Sequence, residues 1–337
     1  MNDSTLRRTE SGLRVVANIK PILSVGFFYL CYMKNFLFVL CFLFFDFLKG
    51  QDTLMPIIFL DDVIISEENN GFSVEDFVGY VRSDSSFYMG FKHMRYYTHK
   101  YESELSLFNK KGKKIGSLIK KGDFYSNGKK SWLVNSFISD EGKIFKRNGD
   151  YKYYTPEAFD EVFFPKDTFS VSLRISDDKR KGESRNMRDA KTVGFAIGTD
   201  DVEQKKGGIS KRLAIFDHDM QQYYDYSIGE KKYKSRECYV FSIEVKKELS
   251  EKDQRKALVR KIVSYFDKQN FNVIYREYKF VYKNWFIDLD MDIEVNMDYI
   301  NGKHMPSDIY YKGYWNVIFF KPERAEFFLR NTMYQVK

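Results

Sequence analysis

IDLDMDIEV, residues 287–295, alternates without a break. Asp288, Asp290, Asp292 and Glu294 hold one parity, and Ile287, Leu289, Met291, Ile293 and Val295 hold the other. Successive side chains of a strand point to opposite faces, so the acids share one face and the apolar residues the other. This is the pattern of a half-buried β-strand. Its neighbours read alike. KRLAIFD (211–217), YYDYSI (223–228), CYVFSIEV (238–245), FNVIYREYKFVYK (271–283) and YWNVIFFK (314–321) alternate or are continuously apolar. Ser250 and Asp253 frame a helix start, so residues 250–266 are expected to form a short helix and then a strand from about 258.

The same text governs the first half. ELSLF, KIGSLI, SWLVNSFI, KIFKR and DYKYYT are short runs between residues 103 and 155, separated by Gly-containing turns that include Asn127-Gly128, Glu141-Gly142 and Asn148-Gly149. Asn-Gly supplies the positive φ angles of tight hairpins, so an antiparallel meander is expected across 103–154. The intervening residues do not repeat, which excludes a repeat array. Residues 54–66, LMPIIFLDDVIIS, read as an extended segment. Ser73 with Asp76 opens a short helix whose apolar stripe is Phe77, Val78 and Val81. Residues 176–192 are almost devoid of apolar side chains and read as a loop within one sheet. The expected fold is mainly β: a large, curved antiparallel sheet, half-barrel-like, with two or three short helices. The expected division is a leader at 1–50, a strand and short helix at 51–100, and the β domain at 101–337.

Composition agrees. The chain has 337 residues with 18% aromatic and 30% charged side chains, too aromatic for disorder and too charged for a polytopic membrane protein. Three Cys cannot build a disulfide scaffold. Cys238, within a strand pattern, reads as a small core residue. After residue 50 there are 49 basic and 44 acidic residues, a net +5 that does not call for a nucleic-acid partner.

The one long apolar stretch, residues 22–47, has two readings. As a membrane anchor it has the right length and follows Arg7, Arg8, Arg14 and Lys20, but it carries Lys34 and Asn35 at its middle. With Met33 as the start, Lys34 becomes the charged end of a signal peptide, Phe36–Phe45 its apolar segment and Gly50 its cleavage point. The second reading is preferred because it puts the charge where it helps. Either way the body is expected to be exported, in the periplasm or outer envelope. Membrane contact is expected only through this segment.

Motif enzymes find no support: the sequence lacks a G-x-S-x-G elbow, an H-E-x-x-H pair and a phosphate loop. Two groups have metal-binding chemistry. Asp217, His218 and Asp219 combine an imidazole with two carboxylates. Asp288, Asp290 and Asp292 form the acidic row, for which the plainer reading is a solvated, salt-bridged outer face. Eight Lys between 110 and 130 either attract anionic lipid or polysaccharide, or keep hairpin edges soluble. Aromatics crowd the strands around Tyr278, Phe280 and Trp285 and around Tyr314 and Trp315. A curved sheet lined by them can hold an acyl chain or a peptide, or can be an ordinary core.

EDFVGYVRSDSSFYMGFKHMRYY, ISDEGKIFKRNGDYKYYTPEAF, LAIFDHDMQQYYDYSI and WNVIFFKPERAEF, in that order, resemble exported proteins common in Bacteroidota. The likeness runs from about residue 73 to the end. CYVFSIEV with FNVIYREY is similar at fold level to half-barrel envelope proteins of the LolA/LolB lipoprotein-carrier kind. The resemblance brings no catalytic residues. The expected function is non-enzymatic binding of a lipid-like or extended ligand, or of an envelope protein, without a cofactor. The alternatives are a secreted metal-assisted hydrolase using either Asp217, His218 and Asp219 or the 288–294 acids, and a purely structural envelope protein.

Overall fold

The computed structural model describes residues 74–83, 86–173, 212–213, 215–283, 287–317 and 321–336. All of them belong to one compact unit, Asp62–Lys337. The leader, the extended segment at 54–66, the loop at 176–192 and Trp285 lie outside the described residues.

Eleven strands form one antiparallel sheet, open and curled. They are β1 (Thr98–Phe108), β2 (Lys114–Ser126), β3 (Lys130–Gly142), β4 (Phe169–Ser170), β5 (Tyr224–Tyr233), β6 (Arg236–Val245), β7 (Val259–Asp267), β8 (Val273–Lys283), β9 (Ile287–Ile300), β10 (Lys303–Val317) and β11 (Glu323–Gln335). The order is β4-β3-β2-β1-β11-β10-β9-β8-β7-β6-β5. Two meanders therefore meet where β1 pairs with β11, from Lys100↔Thr332 to Phe108↔Arg324. Strands from both sides of the 176–192 segment join the same sheet. Five helices are described: α1 (Val74–Ser83), α2 (Ser86–Tyr96), α3 (Tyr154–Phe163), α4 (His218–Gln221) and α5 (Glu251–Gln254).

The turns expected at Asn127-Gly128 and Asn148-Gly149 form. Gly128 lies between β2 and β3 at φ +81°, and Gly149 closes a small loop at φ +85°. The helix at 74–83 and the short helix before β7 also form, and the Ser250 hydroxyl caps the latter by accepting from the Asp253 N–H.

Three expectations are corrected. KIFKR and DYKYYT do not continue the meander: β3 ends at Gly142, a single bridge joins Phe145 and Tyr151, and helix α3 follows. Pro156 fits the first turn of that helix, where its missing N–H costs nothing. KRLAIFD is not a strand among its described residues. Arg212 and Leu213 are helical and Ile215 and Phe216 lie in a turn; Leu213, Ile215 and Phe216 are buried, and the Tyr226 hydroxyl donates to the Ile215 carbonyl at 2.6 Å. A short apolar run fits a buried turn as well as a strand, so periodicity could not separate them. Helix α2, which the sequence reading passed over, buries Phe87, Gly90, Phe91 and Met94 against the sheet.

One face of the sheet carries the helices, and we call it the inner face. Phe77 of α1 stacks on Phe241 (5.4 Å between centroids) and meets Phe266 edge-on (5.2 Å). The Arg276 guanidinium lies over Phe87 of α2 at 4.2 Å. Phe159 and Phe163 of α3 pack on Phe327 of β11 at 4.4 and 5.3 Å. Each such ring contributes about 1.5–3 kcal/mol through burial, which fixes the helices on the sheet.

Candidate functional site

Register sorts the aromatic residues. In β8 and β9, Tyr278 pairs with Ile293 and Phe280 with Met291, all on the inner face. Trp315 of β10, opposite Leu289, also points inward, and its indole N–H donates to the Tyr311 hydroxyl. Tyr314, one residue earlier, stands on the outer face opposite Asp290, under the Arg324 guanidinium at 5.0 Å. Tyr278, Phe280 and Trp315 thus share the inner wall, and Tyr314 does not. Tyr278 and Phe280 are buried as ordinary core residues, while Trp315 is half-buried against Tyr154 of α3.

The acidic row lies on the outer face of β9. Lys279 reaches Asp290 at 3.3 Å and Asp292 at 3.1 Å, and Lys283 reaches Asp288 at 3.2 Å. Glu294 accepts from the Tyr275 hydroxyl at 3.0 Å, and burial raises its carboxyl above the usual range. The row is therefore matched by the protein's own lysines. Asp217, His218 and Asp219 sit at the start of one-turn helix α4, where the Asp217 carbonyl accepts the N–H groups of Met220 and Gln221. His218 and Asp219 are exposed. Among the described residues no three His, Cys, Asp or Glu side chains gather as a metal-holding group. Cys238 is buried in β6, and desolvation pushes its thiol up to about 11.

The structure opens at a place the sequence did not single out. A small cleft of about 10 Å³, room for a single water, lies on the inner face at the β1–β3 wing. Met94 and Arg95 at the end of α2 form one side, and Phe163, Phe164 and Pro165 at the end of α3 form another. The sheet supplies His99, Tyr101, Phe124, Leu133, Leu329 and Asn331, and Phe169 of β4 closes the edge. The lining is apolar except for a few oriented groups. The Tyr101 hydroxyl donates to Asn135 Oδ1 at 2.7 Å, and Asn331 Nδ2 donates to the Pro306 carbonyl at 3.2 Å. His99 is stacked between Phe124 (4.8 Å) and Tyr334 (4.6 Å), and burial lowers its pKa to about 4, so the ring is neutral at pH 7. Apart from the Arg95 guanidinium, which donates to the Val162 carbonyl, the lining is neutral and largely aromatic with its polar tips engaged, which suits an apolar guest. Strands β1, β2, β3, β4 and β11 and two helix ends converge to make this cleft, so no local pattern marks it.

Helix α3, the cleft's neighbour, is held to the sheet by buried polar contacts. The Lys120 ammonium of β2 donates to both Asp160 oxygens at 2.6 and 2.7 Å, and the Tyr151 hydroxyl donates to the same carboxylate. At the other end, the Glu323 carboxylate accepts the N–H groups of Tyr154 and Thr155 at 2.9 Å each. It satisfies two orphan donors of the helix N-terminus and sits at the positive end of its dipole.

No family model and no curated protein sequence matches the chain. Among solved structures, it is similar to a DUF1329 family protein from Desulfovibrio piger ATCC 29098 at 10% identity, covering 78% of this chain and 90% of that one, with a TM-score of 0.22. It is likewise similar to a LolA superfamily protein from Nitrosomonas europaea at 10% identity, covering 75% and 92%, with a TM-score of 0.22. Superpositions of this quality carry no weight for function, which has to come from the chain's own residues. Among the described residues no helix is long and apolar enough to cross a membrane.

Proposed function

We propose that this is a non-enzymatic cell-envelope protein that takes a hydrophobic or extended ligand, such as an acyl chain, on the inner face of its sheet. The observation that supports it most directly is the cleft between the ends of α2 and α3. It is lined by Met94, Tyr101, Phe124, Leu133, Phe163 and Leu329 and opens at the sheet margin. The cleft holds about one water as it stands, so this reading requires the lining rings to part when a longer guest binds. Export rests on the signal-like text from Met33 to Gly50.

Titration of the full chain with cis-parinaric acid tests the reading. Saturable binding is expected, and palmitate should displace the probe. Leu133→Trp fills the cleft from a half-buried position on β3 and should weaken binding at least ~tenfold, the scale on which lost apolar contact is felt. Absence of saturable binding, or wild-type affinity in a folded Leu133→Trp protein, would contradict it.

A further inference from the structure

The β1–β2 turn and the loop leaving β3 are separated in sequence and adjacent in space, because Gly116 of β2 pairs with Gly142 of β3. Residues 109–116 and 141–152 together hold eight Lys and Arg against two Asp and Glu. Lys110, Lys111, Lys113, Lys114, Lys143, Lys146, Arg147 and Lys152 are all exposed. Among the described residues Lys110, Lys111, Lys113, Lys143, Lys146 and Arg147 make no ion pair, and Lys114 reaches Glu104 only at 4.0 Å. Both acids are engaged: Asp150 accepts from Asn148 within its own loop at 2.6 Å, and Glu141 accepts from Ser117 of β2 at 3.5 Å.

The positive charge here is therefore uncompensated and lies at one end of the strands. Other lysines on the sheet are matched, as Lys279 and Lys283 of β8 are by the acids of β9. Two half-buried rings, Phe145 and Tyr153, stand in the same loop, and the Lys152 ammonium lies over Tyr153 at 5.3 Å. Such amphipathic rings suit the boundary between water and acyl chains.

We propose that this end of the sheet is a docking surface for an anionic lipid bilayer. Exposed charges spread over two neighbouring loops meet an extended negative plane; they do not enclose a single phosphate. Each Lys or Arg near such a plane strengthens binding about fivefold, and salt removes the effect beyond a Debye length. The surface is independent of what the inner face holds. It also departs from the expectation that membrane contact is confined to the N-terminal segment.

Co-sedimentation of the full chain with phosphatidylcholine vesicles, with and without about a third phosphatidylglycerol, tests this, since charge-dependent binding is read as the difference between the two. That difference removes the apolar contribution of residues 22–47, and the basic residues around that stretch are common to wild type and both variants below, so the comparison between variants isolates the loops. Wild type should prefer the anionic vesicles and lose the preference in 0.5 M salt, where the Debye length is only about 4 Å. Lys110→Gln/Lys111→Gln/Lys113→Gln should weaken the anionic binding at least ~tenfold. Lys129→Gln/Lys130→Gln/Lys303→Gln, at the opposite end of the strands, removes the same charge and should leave most of the binding. Equal losses in the two triple variants would overturn the proposal, as would equal binding to both kinds of vesicle. Binding to soluble polyphosphate as tight as to anionic vesicles would also overturn it, making the patch a general polyanion seat.

Discussion

His99 sits between two rings with its Nδ1 against the Tyr97 carbonyl at 2.9 Å, and its environment resists a charge. The folded state lowers its pKa from 6.5 to about 4 through burial. Between those values the unfolded chain binds the extra proton, so stability rises with pH across that window and is lost as pH falls from about 6.5 to about 4. The loss should amount to about 3 kcal/mol for this group alone. Urea unfolding at several pH values should show His99→Phe with a flatter acid limb than wild type. Parallel curves would contradict the assignment. The Lys120–Asp160 pair gives a second residue-level expectation. Lys120→Met strands a buried carboxylate and should cost about 3–5 kcal/mol, while Lys120→Met/Asp160→Leu should recover much of it. A double-mutant cycle on denaturant midpoints reads this directly. At this scale the acidic row was legible because its partners on β8 are lysines at matching parity. The expectation that put Tyr314 and Trp315 in one surface fails, because adjacent strand residues point to opposite faces.

Helices α1 and α2 differ in how they announce themselves. Helix α1 carries an acidic first turn and a spaced apolar stripe, and its Phe77 ends up in a ring cluster with Tyr239, Phe241 and Phe266. Phe77→Ala should therefore destabilise by about 3–5 kcal/mol in chemical denaturation. Helix α2 is rich in aromatics and has Gly90 at its centre, both poor for helix propensity. The glycine is there for contact: a Cβ on it would lie 2.3 Å from the Met297 methyl and 3.6 Å from the His304 carbonyl. That methyl is the free end of a flexible side chain, so Gly90→Ala should change stability little, the gain in helix propensity offsetting the turning aside of Met297. Gly90→Ala combined with Met297→Ala, compared by thermal melts with each single change, separates the two effects. Helix α3 was missed for a related reason. Its aromatic-rich start reads as strand, and only its seat on β11, capped by Glu323, makes it a helix.

For the molecule as a whole, hairpin chemistry and strand alternation were enough to indicate one large antiparallel sheet. The order of that sheet was not legible, because the junction of β1 with β11 joins residues more than two hundred apart. The cleft depends on that junction: Tyr101 and His99 come from β1, Leu329 and Asn331 from β11. The central claim is that an apolar guest occupies this place. Hydrogen exchange of the full chain with and without saturating palmitate tests it most directly. Added protection should concentrate at residues 94–101, 131–135 and 163–169, with the acidic outer strand β9 little changed. Protection confined to the outer face, or no change anywhere on ligand addition, would contradict the account.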